Sequence, residues 1–289
     1  MARTRKPEPL AGLTSPEREL WPGITKQDLA AYWQQVAPRA LPEIAHRPLA
    51  LLRCPEGIGG GRFFQKHGGR GLPAPIRAAE AEGQPYLAID DAAGLLACVQ
   101  VAAIELHGWG ATEADPAHPD RVVFDLDPGE GTPFAAVVQA ALDLRARLEG
   151  LGLVPFCRTT GGKGLHVLAP LDGGADWPAL RGFARGLAQR LEAEAPERFV
   201  SSLPKARRKG RILVDWLRNG PGATAICSYA PRARPGAMVA TPLAWQEVTR
   251  ALDPAGFTLR TVPRRLARQR QDPWAAFAAA ARPLPEAPG

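Results

Sequence analysis

The segment Val122–Gly129 (VVFDLDPG) limits what this chain can fold into more than any other. Its apolar, partly β-branched run favours a strand, and Pro128-Gly129 stops that strand at a loop. Side chains alternate along a strand, so Asp125 and Asp127 project from one face at its end. Two hard oxygen ligands side by side suit Mg²⁺ or Mn²⁺, which keep open positions for phosphate oxygens. The same pair also reads as two solvated acids closing a strand.

A third acid changes the balance. Asp215 sits inside the apolar run Ile212–Leu217 (ILVDWL), where a lone carboxylate is costly to bury unless it is paired or bound to metal. Arg208, Arg211 and Arg218 are close enough in sequence to provide an ordinary pairing. Three acids on two strands, one pair and one single, match the needs of a two-metal site.

The segment Thr159–His166 (TTGGKGLH) adds donors for an anion. Gly161 and Gly162 let backbone N–H groups turn toward a ligand, and Thr160, Lys163 and His166 stand close by. It is not a Walker A loop, because Gly164 rather than Ser or Thr follows the lysine. A glycine-rich hairpin with an exposed lysine and a structural strand histidine is the plainer reading. In Arg62–His67 (RFFQKH), Phe63 and Phe64 should face opposite sides of a short strand. One then packs in the core, and the other, between Arg62 and Lys66, is free to stack on a nucleic-acid base. Both packing across a thin sheet is the alternative.

With 289 residues and 45% hydrophobic content, the chain can build a sizeable core, as one large domain or two packed modules. Its net charge of +7 is concentrated in Lys205–Arg211 and Arg260–Arg270. That excess suggests a polyanionic partner, although a charge run is also an ordinary solvated face. The four cysteines form no Cys-x-x-Cys pair, which disfavours a zinc ribbon or disulfide framework and fits a reducing cytoplasm. No signal peptide or membrane-length apolar run is read.

The pattern predicts a disordered leader at 1–12 and a helix over 26–36 opened by a capping box at Thr25 and Asp28. Strands are expected at 49–53, 62–66, 86–89 and 122–127, and an apolar helix at 92–103. A long helix to about Gly150 should open with Thr132 as N-cap and Pro133 at its first position. Beyond it come a strand pair at 155–159 and 164–169, and a helix at 177–194. A further pair at 211–217 and 223–228 is joined by the turn Asn219–Gly222. Residues after 272 read as a docked or frayed tail. The class is α/β.

In this order, the segments Leu49–His67, Val123–Gly129, Thr160–Val167, Lys205–Asn219 and Arg232–Thr241 resemble the polymerase domain of bacterial ligase D. That domain belongs to the archaeo-eukaryotic primase superfamily and serves non-homologous end joining. The resemblance spans about residues 13–274. It implies an α+β primase-like fold with an RRM-like catalytic sheet. An N-terminal DNA-binding module at about 13–103 would pack on a catalytic module at about 104–274, with a tail at 275–289. It further implies that Asp125, Asp127 and Asp215 hold two Mn²⁺ or Mg²⁺ ions and that His166 is the catalytic motif's histidine. Thr160, Lys163 and the amides of Gly161 and Gly162 would hold the nucleoside triphosphate, with His107, Arg208 and Arg232 also in the nucleotide site. Arg18 and Lys26 would recognise the 5′-phosphate of the downstream DNA strand. Phe63 or Phe64 would stack on the template beside Lys66.

The implied activity is addition of ribo- or deoxyribonucleotides to 3′-hydroxyl ends, by gap filling and non-templated extension. A DNA ligase module and a Ku-type end-binding protein would act beside it, in a cytoplasmic, nucleoid-associated setting. Thr160 stands where the family usually has serine, and Tyr229-Ala230-Pro231 replaces a usual Tyr-Ser-Leu. Rival readings are a de novo primase, a non-catalytic DNA-end-binding module, and a glycosyltransferase that uses Asp-x-Asp for its metal.

Overall fold

A computed structural model describes residues 12–69, 71–202 and 204–286. The leader expected at 1–12 therefore lies, except for Gly12, outside the described residues. Strands β1 (Glu19–Trp21) and β2 (Ile24–Thr25) form an antiparallel ribbon that delivers Thr25 as N-cap of helix α1 (Lys26–Ile44). The capping box is present: Asp28 N–H donates to Thr25 Oγ1 and Thr25 N–H to Asp28 Oδ2. The helix runs past the predicted end at Val36, through Pro38 and Pro42. Its apolar spacing continues through Ala37, Ala40 and Ile44, all buried, and this packing outweighs the two prolines.

Strands β3 (Leu49–Arg53), β4 (Phe63–Gln65), β5 (Arg77–Ala81) and β6 (Gln84–Ala88) precede helix α2 (Ala92–Gln100) and strand β7 (Ala103–Gly108). Strands β7, β3, β6 and β5 lie side by side in a first sheet, and β4 pairs with β3. Trp33, Val36 and Ala40 of α1 and Leu95, Cys98 and Val99 of α2 share a core with Leu49, Leu51, Ile104 and Leu106.

The second half comprises β8 (Arg121–Pro128), α3 (Phe134–Gly150), β9 (Phe156–Thr159), β10 (Leu165–Pro170), α4 (Trp177–Glu194), β11 (Phe199–Val200), β12 (Ile212–Asp215), β13 (Ala225–Ile226), β14 (Pro242–Leu243) and α5 (Val262–Arg268). Its sheet has the order β11-β12-β8-β10-β9-β14. Val122, Phe124 and Leu126 of β8, Leu165 and Val167 of β10, and Ile212 and Val214 of β12 pack with Val137, Leu144, Phe183 and Leu187 of the two long helices. Alternation then turns Asp125, Asp127, His166 and Asp215 to the opposite face.

Helix α2 stops at Gln100, short of the predicted 103, where β7 begins. Two further expectations fail. Helix α3 begins at Phe134 with Pro133 in the cap position and no side-chain cap bond, because Thr132 Oγ1 donates instead to Arg211 O at 3.1 Å. The strands expected at 211–217 and 223–228 do not pair: β12 joins β8 and β11, whereas β13 joins β7 in the first sheet. Asn219 explains the divergence. Its Oδ1 accepts from Val123 N at 2.7 Å and its Nδ2 donates to Val123 O at 2.7 Å, as a neighbouring strand would. The chain is thus pinned to β8 at the turn and leaves for the other sheet. Beyond it, Trp274 stacks on Phe277 and both meet Phe156. No helix among the described residues is long and apolar enough to cross a membrane.

Candidate active site

Cross-strand register assembles the acids. Asp215 on β12 is opposite Asp125 on β8, which is opposite His166 on β10, which is opposite Arg158 on β9. Asp127 lies two residues further along β8, toward the loop 160–164. The position a Cβ would take on Gly164 is only 3.5 Å from Asp127 Oδ1. The sheet therefore brings Asp125, Asp127, Asp215 and His166 together, as the sequence predicts.

The cluster is electrostatically loaded. Burial raises the Asp127 carboxyl to about 6, helped by the charges of Asp125 and Asp215 and opposed by Arg218 and Arg208. Burial also works against ionisation of Asp125, but His166, Arg218 and Arg232 overcome it and hold that group below its ordinary range. Asp125 Oδ1 is buried without a well-directed donor; His166 Nε2 lies 3.4 Å away. Arg218 Nη2 is 3.1 Å from Asp215 Oδ2 and 3.6 Å from Asp125 Oδ2, so a cation already sits between these acids. Three carboxylates with one orphaned oxygen are a donor set that fits a hard divalent cation. Arg218 supplies the ordinary pairing that the sequence leaves open for Asp215.

The loop 160–164 is closed by Thr160, whose N–H and Oγ1 both donate to Gly164 O, at 3.2 and 3.1 Å. Lys163 is exposed at its tip. Gly161 has φ +63°, and a Cβ there would approach Arg232 Cγ to 2.6 Å, so only glycine fits. Arg232 Nη1 donates to Thr160 O at 2.8 Å, and its Nε is 3.1 Å from Glu105 Oε1. Glu105 also contacts His107 Nε2 at 2.8 Å, and the His107 ring meets Phe64 edge-on. Burial favours ionisation of neither partner, yet His107, Arg232 and the Ala233 N–H hold Glu105 at about 2, while burial lowers His107. A continuous path thus leads from Phe64 on the first sheet to the glycine loop on the second.

Phe63 and Phe64 are both exposed, at 46% and 57%, which corrects the expectation that one packs inside. Strand β4 has only three residues at the side of β3, and no described element covers its two rings. Arg53 lies over the Phe63 ring, and Lys66 is exposed, donating to Gly222 O. Arg18 is exposed and donates to Pro55 O. Lys26 is instead buried, with its ammonium donating to Thr14 O at 2.8 Å and Gln100 Oε1 at 3.3 Å. Burial, then Arg18, lowers the Lys26 ammonium. Arg208 rides on a loop that folds against Gly129, where a Cβ would fall 1.7 Å from Arg208 O. The basic run 260–270 is partly structural: Arg260 donates to Gly23 O and Arg265 pairs with Glu247.

Sequence reasoning missed Glu105, Arg158 and Glu43. Arg158 is 1% exposed; its Nε donates to His166 Nδ1 at 3.2 Å and its Nη1 bonds Glu43 and Ser228. A lone charge within an apolar strand, the signal that marked Asp215, was present for Arg158 in FCRT and Glu105 in AIELHG. Among the described residues, the acid and histidine group whose ligand atoms all lie within 4.8 Å of one another is a different one, His46, Asp90 and Glu113. Arg77 already pairs with both of its acids, so it reads as an ion-pair network.

The family profile described as LigD, primase-polymerase domain, matches residues 25–274. The chain is 37% identical over 273 residues to the multifunctional non-homologous end joining protein LigD of Pseudomonas aeruginosa, covering 92% of this chain and 32% of that protein. It is 30% identical over 246 residues to the bifunctional LigD of Bacillus subtilis, covering 85% of this chain and 40% of that protein. The chain thus spans roughly a third of the length of these relatives. The polymerase domain of Mycobacterium tuberculosis ligase D, solved in complex with DNA, superposes with a TM-score of 0.86 at 36% identity, covering 95% of this chain and all of that one. A row of acids on a twin-sheet α/β frame, a glycine loop beside it and a match along nearly the whole chain agree: this protein belongs to the LigD primase-polymerase domain family, whose members are nucleotidyltransferases.

Proposed function

We propose that this chain extends 3′-hydroxyl ends of DNA with nucleotides during repair of broken ends. The reading rests on one observation above the others: Asp125 and Asp215 are paired across adjacent strands, Asp127 stands two residues further along β8, and a glycine loop carrying Lys163 and bonded by Arg232 lies beside them. Two Mn²⁺ or Mg²⁺ ions held by Asp125, Asp127 and Asp215 would lower the pKa of the 3′-hydroxyl and neutralise charge on the pyrophosphate leaving group.

The chain's own residues do the positioning. Lys163, Arg232 and the amides of Gly161 and Gly162 hold the β- and γ-phosphates, with Thr160 closing the loop behind them. His166 donates from Nε2 toward the reacting phosphate. Arg208, on the loop packed at Gly129, adds positive charge over the same region. His107 sits beside Phe64, between the base and the sugar, and Phe64 stacks on the template. Arg18 takes the downstream 5′-phosphate, and the buried Lys26 supports it by anchoring the start of α1. The 3′-oxygen bonds the α-phosphorus as pyrophosphate leaves, so most of the catalysis is alignment and electrostatics. A ligase and a Ku-type protein would seal and hold the ends, in the cytoplasm at the nucleoid.

Primer extension on a gapped duplex with a downstream 5′-phosphate tests this. With Mn²⁺ and either ribo- or deoxyribonucleotides, the wild type should extend and Asp127→Ala should not; the sugar comparison gives the preference. Tight duplex binding with no addition under either metal would contradict the proposal and leave an end-binding module.

A further inference from the structure

The carboxylate row continues past His166 into a buried chain of side chains that the proposed reaction does not itself use. Arg158 Nε donates to His166 Nδ1 at 3.2 Å. Its Nη1 donates to Glu43 Oε1 and, at 3.1 Å, to Ser228 Oγ. Glu43 comes from α1, in the first sheet's helical layer; its other oxygen accepts from Ser228 N at 3.1 Å, and Arg121 Nη1 lies 3.4 Å from Oε1. Burial opposes ionisation of Glu43, but Arg158 and Arg121 prevail and hold it at about 2. The guanidinium lies over the Trp274 ring, whose indole N–H is tied to Cys157 O. Arg158 is therefore held on every side.

A guanidinium only donates hydrogen bonds, so the nitrogen it meets must accept. With Nδ1 accepting, the proton of a neutral imidazole is on Nε2, which faces Asp125 Oδ1 at 3.4 Å. We propose that Arg158, seated by Glu43 and Ser228, is a positioning residue that fixes His166 as the Nε2–H tautomer. His166 then presents a permanent donor to the carboxylate row and the incoming phosphate. Without Arg158, Nδ1 is free to take the proton. Nε2 then turns a lone pair toward the Asp125 carboxylate, and the ring is pushed out of place. Because Glu43 belongs to α1, the device also ties the catalytic histidine to the first sheet's layer.

This inference rests on the nucleotidyltransferase reading, and its first measurement needs no activity. Long-range ¹H–¹⁵N correlation on the metal-free wild type, with His166 assigned by its loss in His166→Gln, should give the Nε2–H tautomer. An Nδ1–H pattern overturns the proposal and leaves the enzyme reading standing. An Nε2–H pattern in a wild type that adds no nucleotide would instead sink the enzyme reading alone. Arg158→Met should mix the tautomers and lower kcat by about 10–100-fold, the usual scale for losing a partner that orients a site ligand, with nucleotide KM little changed. Arg158→Lys, which can still donate one bond, should restore the Nε2–H signature and part of kcat. A folded Arg158→Met with an unchanged tautomer and wild-type kcat refutes the role. Should that variant not fold, the wild-type spectrum and the lysine variant decide.

Discussion

Asp127→Asn should abolish nucleotide addition and, in the metal-free protein, raise stability. The folded state lifts the Asp127 carboxyl from 3.8 to about 6, burial being the largest cause and the charges of Asp125 and Asp215 adding to it. A gap of about two pH units, at about 1.36 kcal/mol each, makes the ionised group unfavourable by about 3 kcal/mol. The folded pKa is the higher one, so the folded state binds more protons across this window and wild-type stability falls as pH rises through it. The neutral amide removes that cost. Its gain should be complete above about pH 7 and gone below about pH 4. At about 2 °C per kcal/mol for a chain this long, Tm should rise by about 6 °C at pH 8. The assay is thermal unfolding in EDTA at pH 8 and pH 4, repeated at pH 8 with Mn²⁺. The added ion should raise the wild-type Tm by binding the folded state and should raise that of the variant less. Destabilisation at pH 8, or an equal gain at both pH values, would refute the argument that burial, with the neighbouring acids, makes the Asp127 charge costly.

Other substitutions separate scaffold from site. Gly129→Ala forces a Cβ toward Arg208 O, which would lie 1.7 Å away; denaturant unfolding should show a loss of about 1–3 kcal/mol, and nucleotide KM should rise as the Arg208 loop shifts. Asn219→Ala strands the buried N–H and C=O of Val123; urea unfolding should register about 2–4 kcal/mol of destabilisation. Phe64→Ala removes an exposed ring, so Tm should stay put, while affinity for a template overhang by fluorescence anisotropy should fall by about 1–3 kcal/mol.

The acids were legible because their signals are local. Alternation along VVFDLDPG fixes which side chains share a face, and an acid inside ILVDWL is conspicuous without knowing its neighbours. Helix α4 matches its predicted span because Asp176 caps it, Pro178 opens it and its apolar spacing is regular. What escaped depends on distant partners. The turn Asn219–Gly222 looks like a hairpin, yet the Asn219 side chain pairs with Val123, 96 residues away. Glu43 and Arg158 are 115 residues apart, and neither alone suggests a link to His166. The aromatic pair failed for another reason: alternation assigns opposite faces but does not say whether anything covers them.

The proposed reaction stands or falls on whether Asp125, Asp127 and Asp215 form a two-ion site served by the glycine loop. A crystal grown with Mn²⁺ and a non-hydrolysable nucleoside triphosphate, recorded at the manganese anomalous edge, tests it most directly. Two anomalous peaks are expected among these carboxylates, with the triphosphate along residues 160–164. Manganese at His46, Asp90 and Glu113 instead, or a nucleotide bound away from the loop, would contradict it.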